Sequence, residues 1–121
     1  MLQPGDLFVH PSGVEVRIQA WGEGPAGVGE WLARVPPGSG FLPEHAHPQQ
    51  VESFRIEPGG ARYDLGGVAG RLAAGEELVV PAGVRHINPW NDGAEPLVFT
   101  QRFTPILDFE EILARLGFRP R

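Results

Sequence analysis

The stretch His45-Ala46-His47-Pro48-Gln49-Gln50-Val51-Glu52 decides how this chain reads, together with Pro81-Ala82-Gly83-Val84-Arg85-His86 downstream. Three of the four histidines fall in these two segments, and a glutamate completes the set. Residues two apart on a strand project from the same face, so the imidazoles of His45 and His47 point together. A turn at Pro48 brings Glu52 back on the neighbouring antiparallel strand. Three neutral imidazoles and one carboxylate suit a borderline divalent metal, so the expected cofactor is one ion of manganese, iron, nickel, cobalt, copper or zinc. Glu52 itself is open to two roles, anionic ligand or base.

Working outward, 17 glycines and 13 prolines punctuate short apolar-alternating runs, the pattern of an all-β barrel or sandwich. Val14, Val16 and Ile18 alternate with Glu15, Arg17 and Gln19, for example. The alternation predicts strands near 14–20, 28–35, 41–47, 51–57, 61–65, 77–80, 84–88 and 96–103. Turn signals stand between them, at Pro58-Gly59-Gly60, Gly66-Gly67 and Asn91-Asp92-Gly93 among others. Closing such strands into an antiparallel barrel removes exposed edges and encloses a small cavity, toward which the four ligands point.

The two motifs resemble those of the cupin superfamily. Its first motif runs Gly, five residues, His-x-His, three or four residues, Glu, six residues, Gly; its second runs Gly-x5-Pro-x-Gly-x2-His-x3-Asn. Here four residues separate His47 from Glu52 and six separate Glu52 from Gly59, while Gly75, Pro81, Gly83 and His86 keep the second spacing. Paired patterns of this kind arise in a shuffled chain of the same composition on the order of 10⁻⁴ times. Fifteen residues, Gly60 to Ala74, lie between the motifs, as in small single-domain cupins. The resemblance spans residues 28–105, with motif one at about 38–59 and motif two at 75–91. Two turn positions depart from it: Ser39 stands where the frame has glycine, flanked by Gly38 and Gly40, and Trp90 stands where it has asparagine, between Asn88 and Asn91. The resemblance implies a jelly-roll-type β-barrel over one domain, residues 1–121. It also implies that Glu52 is a ligand beside His45, His47 and His86, and that the chain pairs as a homodimer.

Composition excludes several classes of chemistry. The chain has no cysteine, so it offers neither a disulfide framework nor a thiolate, and any metal must rest on histidine and carboxylate. All ten basic residues are arginine, which removes Schiff-base chemistry. A net charge of −5 argues against nucleic acid and anionic membranes as partners. Residues 1–10 lack the layout of a signal peptide and no apolar run nears a membrane span, so a cytoplasmic location is expected.

The last element reads as a helix over 108–117: Asp108 as N-cap with Glu111 three residues on, a staple from Leu107 to Ile112, and Gly117 as terminator. Phe109, Ile112, Leu113 and Leu116 form one apolar stripe, predicting that the helix packs on the barrel or across a dimer partner, with a lid over the site as the alternative. Strand parity puts Phe54 and Ile56 on the face of Glu52, and Asn88 on the face of His86, making these three candidate pocket walls beside the metal, with core packing the favoured role for Phe54 and Ile56. On the last strand, Leu97, Phe99 and Phe103 share parity with Gln101, so Gln101 rather than Arg102 is the expected interior polar group. His10, beside Pro11, reads as a surface residue.

Four ligands on an octahedral-type ion leave about two positions for water or substrate. A metal-dependent enzyme acting on a small organic molecule is therefore expected, with dioxygenase-type oxidation as the leading reaction and Glu52 as the catalytic carboxylate. The rivals are metal-assisted isomerisation or cyclisation, and a module that binds metal or a small ligand without catalysis.

Overall fold

A computed structural model describes residues 2–121. In chain order its elements are β1 (Leu7–Val9), β2 (Glu15–Trp21), β3 (Gly29–Val35), β4 (Val51–Ile56), β5 (Ala61–Leu65), β6 (Val68–Leu72), β7 (Glu77–Val80), β8 (His86–Trp90), β9 (Leu97–Thr104), α1 (Phe109–Leu116) and β10 (Arg119–Pro120). Two antiparallel sheets face each other, seven strands in the order β10-β1-β2-β3-β9-β4-β7 and three in the order β6-β5-β8. This is the jelly-roll arrangement expected, although the sheets meet as two open layers instead of a continuously hydrogen-bonded barrel.

Period-two patterning writes the interior. Val16 and Ile18 of β2, Trp31, Ala33 and Val35 of β3, and Leu97, Phe99 and Phe103 of β9 are all buried, while Arg17, Gln19 and Arg102 face solvent. Phe54, Phe103, Ile18, Ile56 and Leu97 are fully enclosed. Each such side chain contributes roughly 1.5–3 kcal/mol by leaving water. β9 lies between β3 and β4, with Trp31 opposite Gln101 on one side and Phe54 opposite it on the other. One polar residue is thereby set in the middle of an aromatic face.

The segment 41–47, expected as a strand, is not one. Pro43 and Pro48 remove ladder donors at both ends, and only His45 keeps a sheet contact. Its N–H donates to the His86 carbonyl at 2.9 Å and its carbonyl accepts from the His86 N–H at 2.8 Å. This single bridge ties the first motif to β8. A second tie runs from the Gly83 N–H to the His47 carbonyl at 2.8 Å, from a turn in which Gly83 has φ +80°. β8 starts two residues later than expected and contains Pro89, tolerated because β8 is an edge strand.

Both departures from the cupin frame are resolved one residue away. Gly40 has φ +88°, and a β-carbon there would come within 2.6 Å of Val35 Cγ1, so position 40 carries the need for glycine. Asn91 does the work of the closing asparagine. It is buried, its Nδ2 donates to the carbonyls of Val35 at 3.0 Å and Glu95 at 2.7 Å, and its Oδ1 accepts the Gly93 N–H at 3.0 Å.

α1 forms where its stripe predicts, but its N-terminus is built differently. Asp108 makes no side-chain cap; its carboxylate turns to Arg115 at 3.2 Å. Leu107, the residue before Asp108, is 37% exposed at φ +46°. The C-terminus is a Schellman turn: Gly117, at φ +103°, donates to Ala114, and Phe118 donates to Leu113. Phe109 and Leu113 are buried, and the Phe109 ring stacks on Phe103 with centroids 3.9 Å apart and planes 9° from parallel. The helix therefore docks on the inner face of the large sheet.

Candidate metal centre

His45, His47, Glu52 and His86 converge, each offering one ligand atom, and these four atoms lie within 4.8 Å of one another. Glu52 rides on β4, His86 opens β8, and the two remaining histidines sit on the irregular segment that the backbone bridges hold between them. Glu52 Oε1 stands 3.1 Å from His86 Nε2 and 3.3 Å from His47 Nε2.

The backbone sets the tautomers. His86 Nδ1 lies 3.0 Å from the Val84 carbonyl, and His45 Nδ1 lies 2.8 Å from the Pro43 carbonyl. A carbonyl only accepts, so each Nδ1 carries the proton and, in the neutral ring, each Nε2 presents a lone pair to the cluster. Such outer contacts orient metal-binding imidazoles. The consequence at His86 is an acceptor facing an acceptor. Among the described residues, Glu52 Oε1, His86 Nε2 and Asn88 Oδ1 are the buried side-chain polar atoms without a hydrogen-bond partner. Buried orphans of this kind are costly, and a cation between Glu52 Oε1 and His86 Nε2 satisfies both of those atoms chemically. The donor set, imidazole nitrogens with one carboxylate oxygen, fits a borderline divalent ion, and these four residues are arranged to hold it.

A proton is the alternative cation. Burial pushes the His86 imidazolium down, but its bond to Glu52, the Val84 carbonyl and Asn88 outweigh burial and raise its pKa above the usual 6.5. His47 goes the other way: burial, aided by repulsion from His45 and His86, overcomes the pull of Glu52 and lowers it.

Behind the cluster, Gln101 Nε2 donates to Glu52 Oε2 at 2.7 Å, and Gln101 Oε1 accepts the Trp31 indole N–H at 2.9 Å. Gln101 thus points inward, as its parity required. In front of the cluster is a cavity of about 430 Å³. Glu52, Gln101, Phe99, Ala33 and Val16 line it from the large sheet, and all four residues of the helical stripe line it from α1. Asn88 also lies on it. Phe54 and Ile56 do not: both are fully buried, and Phe54 packs edge-on against Phe99 with centroids 5.7 Å apart. They belong to the core beneath the site.

Sequence reasoning missed His10. It is not a free surface group: it lines the cavity, its Nε2 meets the Leu116 carbonyl at 3.0 Å, and its Nδ1 accepts the Ser12 N–H at 3.0 Å, so Nε2 is the donor to the helix end. No local signal marks this, because the partner lies 106 residues away.

Fold and site together define a small antiparallel β-protein whose interior carries a three-histidine, one-glutamate cluster arranged for metal. The family model of the cupin domain matches residues 31–103, and the chain belongs to that family. It is similar to a predicted oxalate decarboxylase from Thermotoga maritima, with TM-score 0.72 and 20% identity over 85% of this chain and 94% of that one. It is also similar to KdgF from Halomonas sp., with TM-score 0.70 and 20% identity over 84% and 86% of the two chains. An RmlC-like cupin from Shewanella frigidimarina gives TM-score 0.68 and 17% identity over 81% and 82%. At these identities the likeness is one of fold. No curated protein sequence matches the chain significantly. Among the described residues, no helix is long and apolar enough to cross a membrane.

Proposed function

We propose that this cupin binds one redox-active divalent ion per chain, iron, manganese, nickel or copper, and catalyses dioxygenase-type oxidation of a small organic molecule. The observation that carries this reading is the pairing of a four-ligand cluster with a largely apolar cavity whose other titratable lining residues are already engaged. Of the other titratable residues lining the cavity, Glu44 is engaged by Arg85 at 2.9 Å, and His10 is tied to the end of α1. Isomerisation or cyclisation draws on a proton donor as well as an acceptor, and a lone carboxylate supplies only the acceptor until it has itself been protonated. Dioxygenation needs a single deprotonation and consumes one O₂ per substrate, both atoms entering product, without a separate reductant.

A redox-active ion at these ligands supplies the electronic route by which O₂ reacts with an organic anion. The remaining work falls to the chain. Gln101 fixes one oxygen of Glu52, so Oε1 is the atom that faces the cluster and takes the proton of an enol or hydroxyl substrate. Asn88 Oδ1, buried and unpartnered, is free to accept a hydrogen bond from the bound molecule. Phe99, Phe109 and Leu113 exclude water from the reacting face.

The same lack of a free second titratable group supports a second reading, a non-catalytic ligand-binding module. Oxygen uptake separates the two. With each metal form and a panel of enolisable diketones, catechols and flavonol-like polyphenols, an oxygenase consumes O₂ in proportion to substrate lost. No uptake by any form, with a small molecule co-purifying in the cavity, establishes the binding module instead.

A further inference from the structure

The cavity's shape and charge narrow what it holds. Its sheet wall is built in turn by Glu52 on β4, Gln101 and Phe99 on β9, Ala33 on β3 and Val16 on β2, which are consecutive strands of the large sheet. Three interstrand spacings separate the first from the last, so this wall extends about 14 Å from the metal cluster. Along that length the sheet wall turns apolar, the opposite wall is the apolar stripe of α1, and His10 and Ser12 are the polar residues where that helix ends. The space is a long apolar slot with its chemistry at one end.

Charge is just as one-sided. The acidic residues on the cavity are Glu44 and Glu52, no arginine lines it, and the chain has no lysine. A divalent ion held by the Glu52 carboxylate leaves one net positive charge, which balances a single anionic oxygen donor. A second anionic group farther along the slot would meet aliphatic and aromatic walls and His10, whose two ring nitrogens are already engaged by the Leu116 carbonyl and the Ser12 N–H, and burying a charge without a free partner is strongly unfavourable.

We infer that the slot accepts an elongated, hydrocarbon-rich molecule charged at one end only, and rejects molecules that carry a carboxylate at the far end. Short dianions gain nothing from the apolar wall and fall outside this class. The inference rests on the metal-centred reading above for the position of the charged head; the identity of the tail follows from the walls alone.

Calorimetric titration of the full-length protein tests it, loaded with redox-inert zinc and again metal-free, using β-diketones that carry straight alkyl tails of increasing length. Each further methylene should tighten binding about fourfold until the slot is filled. A diketone of equal length ending in a carboxylate should bind at least tenfold more weakly than its methyl-ended counterpart. Ala33→Phe places a ring at the middle of the sheet wall and should end the gain at shorter tails; its melting temperature reports whether it folds, and the wild-type series decides the matter if it does not. Affinity independent of tail length, or equal binding of the carboxylate-ended ligand, overturns the inference. A tail-length gradient that persists while zinc makes no difference upholds the apolar slot and removes the metal anchorage instead.

Discussion

Gln101 holds Glu52 by one carboxylate oxygen: its Nε2–H donates to Oε2 at 2.7 Å and leaves Oε1 turned toward His47 and His86. Gln101 is itself oriented by the Trp31 indole, so two residues on the two strands next in line fix the carboxylate that β4 carries. Gln101→Leu keeps the volume but strands both Glu52 Oε2 and Trp31 Nε1 in the interior. The metal-free protein should lose about 1–3 kcal/mol, since unpaired buried polar groups carry that cost. Metal affinity should fall roughly 10–100-fold, as for other outer-sphere partners. Denaturant unfolding and metal titration measure the two effects; a change in stability without a change in affinity would make Gln101 a purely structural residue.

The histidines should titrate in opposite senses in the metal-free protein. His86 is raised above 6.5, because its bonds to Glu52 and Val84 outweigh burial, and His47 is lowered by burial. A raised value stabilises: the His86 contribution is fully present below 6.5 and is lost as pH rises through its folded value. A lowered value costs stability instead, absent well above 6.5 and growing as pH falls toward the folded value of His47. Metal must displace the His86 proton, so its affinity should begin to decline on acidification already above pH 6.5, with proton release on binding. Ring resonances followed by NMR, and calorimetry in buffers of different ionisation enthalpy, test this; His47 titrating above His86 would contradict it.

Leu113 is buried on the docked face of α1 and lines the cavity. Leu113→Asp should cost about 3 kcal/mol, either by burying an unpaired carboxylate or by undocking the helix. Thermal unfolding and amide exchange across 109–118 report it. Wild-type melting together with wild-type protection there would show that the helix adds nothing to the fold.

Metal bound only to the folded chain stabilises it by mass action, about 2.7 kcal/mol at a free concentration one hundred times Kd. For a domain of this size that is roughly 10 °C in Tm. Scanning calorimetry before and after verified chelation measures it, and an unchanged Tm would separate the site from folding.

What the sequence disclosed divides along a physical line. Short-range spacing revealed the four converging ligands, because the turn at Pro48 and the turn at Gly83 are local. Parity along β9 put Gln101 inside, but parity fixes a face and not a depth. Phe54 and Ile56 share the face of Glu52, yet lie farther along β4, where Phe99 and the facing sheet have already filled the interior. β1, β6 and β10 escaped notice for want of pattern: β1 and β10 pair over two or three residues at the sheet edge, and β6 is mostly exposed on both faces, its Gly70 covered by the Tyr63 ring. The link from His10 to Leu116 joins opposite ends of the chain, which no window of sequence spans.

The most direct test of the metal centre is elemental analysis of the protein purified without added metal and after reconstitution with each candidate ion, alongside His47→Ala and His86→Ala. Near one divalent transition metal per wild-type chain, with occupancy falling strongly in both variants, is the result that follows from four ligand atoms within 4.8 Å of one another. A wild type that stays empty with every ion, or a His47→Ala protein that keeps its full complement of metal, would contradict the assignment.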